Sequence, residues 1–323
     1  MPDKKIYAGI DIGGTNIKFG LIDSNGNILH REHRPTMAEK GAGPLLHLIT
    51  NIAERLLYFA AEEDYAIKYV GVGSPGAVDY RTGRVIGPCP NIDGWQGTEI
   101  GATLSERLNT PVYVDNDANA MALAEARFGA AAGARSAICV TVGTGIGGGV
   151  IIDGRVMRGA SSSAGELGHM TINFDGPKCN CGNKGCLEMY CSSQAMIDGV
   201  KAKTVKGLSP RLEEVLEGDL GNLTIKKLFA AARKGDEIAG EVIRDTAVYL
   251  GIGLSGIVNV FNPEVVVVGG GIIDGGAGFL EVVTAEIRKR AFSSAVSDLR
   301  VVKASLGNAA GFIGAGLLGD AEH

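Results

Sequence analysis

The chain has 323 residues, which is enough for two domains of ordinary size. Hydrophobic residues make up 45% and charged residues 21%, so a sizeable core can form. The formal net charge of −5 argues against a dedicated nucleic-acid surface, which needs clustered lysine and arginine. No apolar run reaches the roughly 18 residues of a membrane span, and no signal peptide is recognisable. We therefore expect a cytoplasmic protein without a membrane partner, in a compartment where thiols stay reduced.

The first third of the chain predicts alternating strands and helices. Residues 6–30 hold three apolar runs, separated by a glycine-rich turn and by Asn25-Gly26, which is typical of two successive hairpins. Apolar residues spaced by three and four over residues 44–64 predict an amphipathic helix. The pattern next predicts a buried strand, a helix, another strand and an alanine-rich helix, at residues 69–75, 97–109, 110–117 and 118–131.

Residues 136–159 repeat the layout of residues 6–30, with a strand, a glycine turn, a strand, the tight turn Asp153-Gly154 and a third strand. Two such halves predict a duplicated α/β domain with a cleft between the copies. Mostly helical segments follow a cysteine-rich loop. The β-branched run at 264–273 is typical of a strand covered on both faces, and a helix, a strand and a helix of small residues complete the chain.

Both glycine turns are candidates for phosphate binding. Glycine lets the backbone turn sharply and brings bare N–H groups within reach of an anion. At Asp11–Thr15, the Asp11 carboxylate can orient a hydrated magnesium ion and Thr15 can donate to phosphate, although an ordinary hairpin turn also fits. Gly143–Gly149 matches a dinucleotide-binding turn weakly, because a strand follows it. Together, the two turns predict two backbone binding sites for the phosphates of one polyphosphate ligand.

Two polar clusters are candidates for chemistry on a hydroxyl-bearing substrate. In "DND", Asp115–Asp117, one residue is expected to cap the following helix, and the alternative is that Asp117 acts as a general base. In "GELGH", Glu166 and His169 are close enough to face one ligand, although a surface turn explains them as well.

The stretch "CNCGNKGCLE" places Cys179, Cys181 and Cys186 within eight residues. Three thiolates this close suit a tetrahedral metal better than a disulfide, because an odd number cannot pair off. Zinc needs a fourth ligand, and the candidates are His169 and Cys191. Free thiols in a loop are the alternative.

Taken together, these stretches resemble the ROK family of repressors, open reading frames and sugar kinases. The resemblance covers nearly the whole chain and rests on "DIGGT", "GVGSPGAVD", Pro90-Asn91 with Trp95, "DNDANA", "GTGIGGG", "GELGHM", "VVVVGGG" and the cysteine motif, which fits the family's CxCGxxGCxE pattern without departure. The family implies a duplicated actin-like/hexokinase (ribonuclease H-like) α/β fold. Its domains would be a small one at 1–117, completed by the C-terminal helix at about 305–323, and a larger one at 118–304 carrying the zinc loop.

The resemblance also implies roles for individual residues. Asp117 would be the catalytic base. The residues implied to bind the sugar are Gly76, Asn91, Asn116, Asp117, Glu166, His169 and Glu188. Those implied to bind ATP are Asp11, Gly13, Gly14, Thr15, Gly143, Thr144, Gly145, Gly269, Gly270 and Gly271. The implied ligands of a structural Zn²⁺ are His169, Cys179, Cys181 and Cys186, which leaves Cys191 out.

ROK kinases transfer the γ-phosphate of ATP, with Mg²⁺, to a sugar hydroxyl, commonly the 6-hydroxyl of glucose. Glucose is the acceptor we expect here, on "GSPGAVD", "PN" and "GELGH". The alternatives are N-acetylmannosamine or N-acetylglucosamine, and then fructose. Ala77 favours a plain hexose. ATP is the expected donor, because no basic track for a polyphosphate is apparent in the sequence.

A sugar-sensing transcriptional regulator is the alternative of a different class, since the family includes repressors. We expect no helix-turn-helix, because "DIGGT" is reached by residue 11, and no nucleic-acid partner. A non-catalytic actin-like scaffold would have no use for Glu166 and Glu188. The family implies a homodimer or homotetramer.

Overall fold

The computed structural model describes residues 5–205, 207–276 and 278–320, and its framework is two five-stranded sheets. The strands are β1 (Ile6–Ile12), β2 (Asn16–Asp23), β3 (Ile28–Pro35), β4 (Ile67–Ser74), β5 (Val78–Asp79), β6 (Arg84–Val85), β7 (Val112–Asn116), β8 (Ala137–Val142), β9 (Ile146–Ile152), β10 (Arg155–Val156), β11 (Val265–Gly269) and β12 (Arg300–Lys303). The helices are α1 (Ala42–Glu62), α2 (Ile100–Leu108), α3 (Asp117–Phe128), α4 (Glu188–Cys191), α5 (Ser193–Lys203), α6 (Pro210–Leu216), α7 (Ile225–Arg233), α8 (Glu237–Phe261), α9 (Phe279–Arg290), α10 (Ser293–Val296) and α11 (Ala310–Gly316).

The two sheets have the same strand plan, as the repeated sequence layout predicts. The first sheet has the order β3-β2-β1-β4-β7, and the second has the order β10-β9-β8-β11-β12. In the first, β1, β2 and β3 pair antiparallel, and β1, β4 and β7 pair parallel. No helix among the described residues has both the length and the apolar character needed to cross a bilayer.

The chain divides into two compact units. Unit 1 takes the described residues of 1–139, 149–165 and 305–323, and unit 2 takes those of 140–148 and 166–304. The division runs within β8 and β9. The domain boundaries implied by the family resemblance, at 1–117 with 305–323 and at 118–304, stay a prediction.

One face of the first sheet packs against α1. Strand alternation directs Ile17 and Phe19 of β2 to this face, where they join a buried cluster with Leu45, Ile49 and Leu56 of α1. The helix spans Ala42–Glu62, so each end lies two residues earlier than in the predicted range of 44–64. It begins directly after Gly41, whose φ of 79° is not helical. Burial of such an apolar stripe, rather than intrinsic propensity, stabilises a surface helix of this kind.

The other face of the first sheet packs against α11 at the level of the backbone. Gly71, Gly9 and Gly20 are aligned across β4, β1 and β2. A Cβ atom on Gly9 would lie 1.9 Å from the carbonyl oxygen of Phe312, and one on Gly71 would lie 1.7 Å from that of Ala315. A row of residues without side chains therefore lets α11 rest directly on the strands.

Helix α11 is equally close to α3 on its other side. A Cβ atom on Gly314 would lie 1.6 Å from the carbonyl oxygen of Ala120. Because α11 also contacts β1, β2 and β4, it fills the layer between the first sheet and α3. The predicted helix of small residues is thus present, and its small residues are required by close packing on both sides.

Glu125 of α3 is fully buried and connects distant parts of unit 1. Its carboxylate accepts hydrogen bonds from the backbone N–H groups of Ala130 (2.7 Å), Ser305 (3.0 Å) and Leu306 (2.9 Å). The carboxylate thus holds the segment that leads into α11.

We predict that Glu125→Ala lowers the free energy of unfolding by about 3 kcal/mol or more, because three N–H groups lose a charged acceptor. Urea denaturation followed by circular dichroism measures the change. Glu54→Ala is the matched control, since the Glu54–Arg107 pair is exposed and is worth about 1 kcal/mol or less. An equal loss in the two variants would contradict the role assigned to Glu125.

Candidate active site

The carboxyl ends of β1, β4 and β7 bring acidic residues of unit 1 together. The strand register aligns Asp11, Gly73 and Asp115 in one row. A Cβ atom on Gly73 would lie 3.8 Å from Oδ1 of Asp11 and 3.5 Å from Cα of Asp117. Gly73 therefore lies between Asp11 and the start of α3, at ordinary van der Waals distances from both.

The cap of α3 is Asn116. Its side-chain oxygen accepts hydrogen bonds from the N–H groups of Ala118 (2.9 Å) and Asn119 (3.3 Å), and its amide nitrogen donates to the carbonyl of Gly76 (3.1 Å). The prediction that one residue of "DND" caps this helix is thus confirmed. Asp117, the first helical residue, is half-buried.

Asp115, the residue before Asn116, is held in place by two side chains. The residue is 2% exposed, and its carboxylate accepts hydrogen bonds from Nε of Arg158 (2.7 Å) and Nδ2 of Asn119 (3.0 Å). The Arg158 guanidinium carbon lies 4.4 Å from the ring centroid of Tyr80, a cation–π contact. The sequence reasoning missed Arg158, because nothing local marks an arginine 43 residues away as the partner of Asp115.

The first glycine turn is anchored on one side and open on the other. Thr36 donates its hydroxyl to the carbonyl of Gly13 (2.6 Å) and its N–H to that of Thr15 (2.9 Å). Apart from its two chain neighbours, no atom of the described residues lies within 4 Å of a Cβ built on Gly14, so the tip of the turn has room for an anion. Burial raises the pKa of Asp11 to about 6, against the opposing effect of Lys18.

The segment that follows β6 is positioned by a buried tryptophan. Trp95 is fully buried, and its Nε1–H donates to Oγ of Ser74 (3.1 Å) at the end of β4. Asn91, four residues earlier, remains exposed. Gly76 has a φ of 82°, a backbone conformation that would be strained in a residue with a side chain. Its carbonyl accepts the hydrogen bond from the amide nitrogen of Asn116.

In unit 2, Glu188 is bound to the second glycine turn. Its Oε2 accepts the N–H of Ile146 (2.9 Å), and a Cβ on Gly145 would lie 2.5 Å from that oxygen. The carbonyl of Gly143 accepts the N–H of Ser193 (2.7 Å), whereas, chain neighbours aside, no atom in the described part of the chain lies within 4 Å of a Cβ built on Gly143. Residues 143–145, with Thr144 between the glycines, thus form a supported turn with an open side.

The glycines after β11 form a third turn in unit 2. Gly269 ends the strand, and the chain turns at Gly270, with φ of 98° and a virtual Cβ 2.2 Å from the carbonyl oxygen of Val142. The predicted strand over 264–273 therefore stops earlier, at residue 269. Among the residues that the structure describes, chain neighbours excepted, no atom lies within 4 Å of a Cβ built on Gly271.

His169, Cys179, Cys181 and Cys186 form one cluster, with potential ligand atoms all within 4.8 Å of one another. Nδ1 of His169 lies 3.6 Å from Sγ of Cys179, and Sγ of Cys181 lies 3.6 Å from Sγ of Cys186. Tetrahedral zinc with bonds of about 2.3 Å separates sulfur ligands by about 3.8 Å. The cluster is therefore compatible with zinc.

Burial, together with the neighbouring thiols of Cys181 and Cys179, raises the pKa of the Cys186 thiol to about 12. Cys191, the other candidate for the fourth ligand, lies outside the cluster, where its buried thiol faces the carbonyl of Thr246 at 3.6 Å. Burial raises the pKa of Cys191 as well.

His169 and Glu166 are neighbours on the partly exposed side of this cluster. Nε2 of His169 lies 4.0 Å from Oε2 of Glu166, while Nδ1 is directed to Cys179. One imidazole nitrogen is thus available to a metal and the other to a ligand. The site residues predicted from the sequence fall into two groups, each assembled within its own unit.

The ROK family model matches residues 7–322. The glucokinase of Thermotoga maritima is 36% identical over 320 residues, which cover 98% of this chain and 97% of that relative. A xylose repressor of Caldicellulosiruptor bescii is 33% identical, covering 95% of this chain and 76% of its own length.

Among solved structures, a ROK family glucokinase from Streptomyces griseus in complex with glucose and AMPPNP is 34% identical. It superposes with a TM-score of 0.79 and covers 96% of this chain and 98% of its own. The predicted fold class, the actin-like/hexokinase two-domain α/β fold, is confirmed by such neighbours. On a family match over residues 7–322 and identity above 30% along nearly its whole length, the chain belongs to the ROK family.

Proposed function

We propose that the protein is an ATP-dependent hexose kinase that transfers the γ-phosphate of ATP to the 6-hydroxyl of glucose. The observation that carries the proposal is the placing of Asp117. It is the first residue of α3, and Gly73 lies between its Cα and the carboxylate of Asp11 at van der Waals distances. Phosphoryl transfer to a hydroxyl requires an acceptor carboxylate close to the phosphate site, which Asp11 and the turn after it are proposed to form.

In this mechanism the Asp117 carboxylate accepts the proton of the sugar hydroxyl as its oxygen attacks the γ-phosphorus and ADP leaves. A general base of this kind contributes about 10²–10⁴-fold to the rate. Asp11 would hold a hydrated magnesium ion, which supplies charge neutralisation on the phosphates. The N–H groups of Gly13 and Gly143 are donated within their turns, to Asn16 and Gly145, so the phosphates would be bound by the N–H groups of residues 14–15 and 144–145. Residues 269–271 would lie under the adenosine.

The sugar would be held by carboxylates and amides, each of which can bond two hydroxyls in fixed geometry. The Asn116 amide nitrogen uses one N–H for Gly76 and keeps the other for a hydroxyl. Glu188 uses one oxygen for Ile146 and has further acceptor capacity. Gly76, Asn91, Glu166 and His169 complete the proposed set.

The zinc is proposed as structural. Three thiolates and one imidazole fill a tetrahedral shell, so no position is left to activate water or to polarise a phosphate. The metal would fix the tautomer and ring orientation of His169. Because Glu166 precedes the cluster and Glu188 follows it, the same loop aims two carboxylates and an imidazole at the sugar.

The acceptor and the assembly are less constrained than the reaction. N-acetylmannosamine, N-acetylglucosamine and fructose are the alternative substrates, and a sugar-sensing regulator is the alternative class, since one relative is a xylose repressor. Asp117 favours a kinase, because a regulator has no use for a base at this position. A coupled ADP-release assay across glucose, mannose, fructose and both N-acetylhexosamines decides the acceptor.

The homodimer or homotetramer and the cytoplasmic location stay predictions.

We predict that Asp117→Asn lowers kcat by about 10²–10⁴-fold while glucose still binds, since the amide cannot accept the proton. Steady-state kinetics and calorimetric titration with glucose measure the two effects. Asp198→Asn, at an exposed position on α5, controls for the loss of one carboxylate and should keep normal turnover. Unchanged turnover in Asp117→Asn would refute the assigned mechanism.

We predict that Cys181→Ser loses the metal and the activity together, because the remaining three ligands no longer close the shell. Elemental analysis should find one zinc per wild-type chain. Cys191→Ala is the matched control, which keeps its zinc because Cys191 lies outside the cluster. A wild-type protein without zinc, prepared in metal-replete medium, would overturn the assignment.

We predict that Asp11→Asn stabilises the protein near pH 7.5 and impairs catalysis. The pKa of Asp11 is raised to about 6 in the folded state from 3.8, so its contribution to stability is present below pH 3.8 and is lost as the pH rises through 6. The full effect is up to about 3 kcal/mol. Urea denaturation from pH 4 to 7.5 should show the variant's advantage growing with pH, and a constant difference would contradict this account.

A further inference from the structure

Arg158 forms a buried ion pair with the residue that precedes the turn at Asn116 and Asp117. Nε of Arg158 lies 2.7 Å from Oδ2 of Asp115, and the two side chains are 12% and 3% exposed. Both residues of the pair belong to unit 1. Neither of them is part of the proposed sugar, ATP or zinc sites.

The two carboxylate oxygens of Asp115 have different partners. Oδ1 accepts hydrogen bonds from the N–H of Asn116 (2.7 Å) and from Nδ2 of Asn119 (3.0 Å). Oδ2 accepts the Nε–H of Arg158. Asn116 and Asn119 lie on either side of Asp117 in the sequence, at the start of α3. Because Arg158 binds the second oxygen, it fixes the rotation of the carboxylate that holds this turn.

Arg158 is itself held in one orientation. Its guanidinium carbon lies 4.4 Å from the ring centroid of Tyr80, which directly follows β5. Its carbonyl accepts the N–H of Ala164 (3.1 Å), so the segment from residue 158 to residue 164 forms a closed loop. A planar guanidinium can stack on a ring while Nε donates in the plane, whereas the compact ammonium of a lysine has no planar face to stack.

Stability alone is a weak explanation for a buried ion pair. Removing two charges from water costs free energy that offsets much of their attraction, and apolar side chains of similar volume are often as stable. An ion pair does supply a fixed direction for each hydrogen bond, which apolar side chains cannot. Here Asp115 transmits that direction to the N–H of Asn116 and to the amide of Asn119.

We propose that Arg158 is a positioning residue for proton transfer, which acts through Asp115 to place the Asp117 carboxylate against the acceptor hydroxyl. Arg158 itself touches no reacting atom. A general base acts only within hydrogen-bond reach of its hydroxyl, and a misplacement of about 1 Å can cost a factor on the order of 10² in rate. This role rests on the proposed function, since it requires Asp117 to be the base.

The test is a double-mutant cycle of Arg158→Lys and Asp117→Asn in the full chain, with kcat measured on the best sugar acceptor. Arg158→Lys keeps the charge but loses the planar donor, so it should lower kcat by roughly 10-fold to 100-fold and leave the KM for ATP unchanged. In the Asp117→Asn background the same change should lower kcat no further, because no base remains to be placed. Urea denaturation of each variant gives the folded fraction, to which kcat is referred.

Arg155→Lys is the matched control. It makes the same substitution three residues earlier in the chain, at an exposed position, and should keep normal kcat. Tyr80→Leu is a milder second variant, which removes the stacking ring but leaves the ion pair, and it too should lower kcat only when Asp117 is present. Tyr80→Phe keeps the ring and should keep normal kcat.

Three results would overturn the role of Arg158: normal kcat in Arg158→Lys, an equal loss in the presence and absence of Asp117, or an equal loss in Arg155→Lys. The second result is the one that a merely structural role predicts. Normal turnover in Asp117→Asn would overturn the proposed function together with this role. The two failures are therefore distinguishable, because an equal loss in both backgrounds leaves the effect of Asp117→Asn intact.

Discussion

The structure of unit 1 depends on one close contact, that between α11 and the backbone of the first sheet. Gly9 and Gly71 allow the carbonyl groups of α11 to approach to distances that any Cβ would block, and Gly314 does the same toward α3. Backbones in such close contact cannot shift relative to one another. The sheet therefore determines the position of α11, and α11 determines the position of α3. The turn at Asn116 and Asp117 is the first part of α3, and its position is therefore determined in the same way.

Local patterns were sufficient to predict most of the elements and much of the candidate site. The hairpins, the helices and the CxCGxxGCxE loop each have signals within a few residues, and the structure contains them. The His169 ligand was left open by spacing alone and was supplied by the family resemblance. It lies in the cluster, whereas Cys191 does not. The roles of the sugar and ATP residues stay predictions.

Pairings over long sequence separations were not predictable. The hydrogen bonds between Arg158 and Asp115 and between Glu125 and Ser305 depend on which elements become neighbours in the fold and at what register.

The sequence distance between α11 and the first sheet has a consequence for biogenesis. Tyr7 in the first strand donates a hydrogen bond to Asp320, 313 residues later, and Tyr69 donates to Gly316. Contacts of such sequence separation form slowly. Until α11 has been synthesised, the glycine row of the nascent first sheet has no helix to cover it, so unit 1 completes its packing only after that helix has emerged.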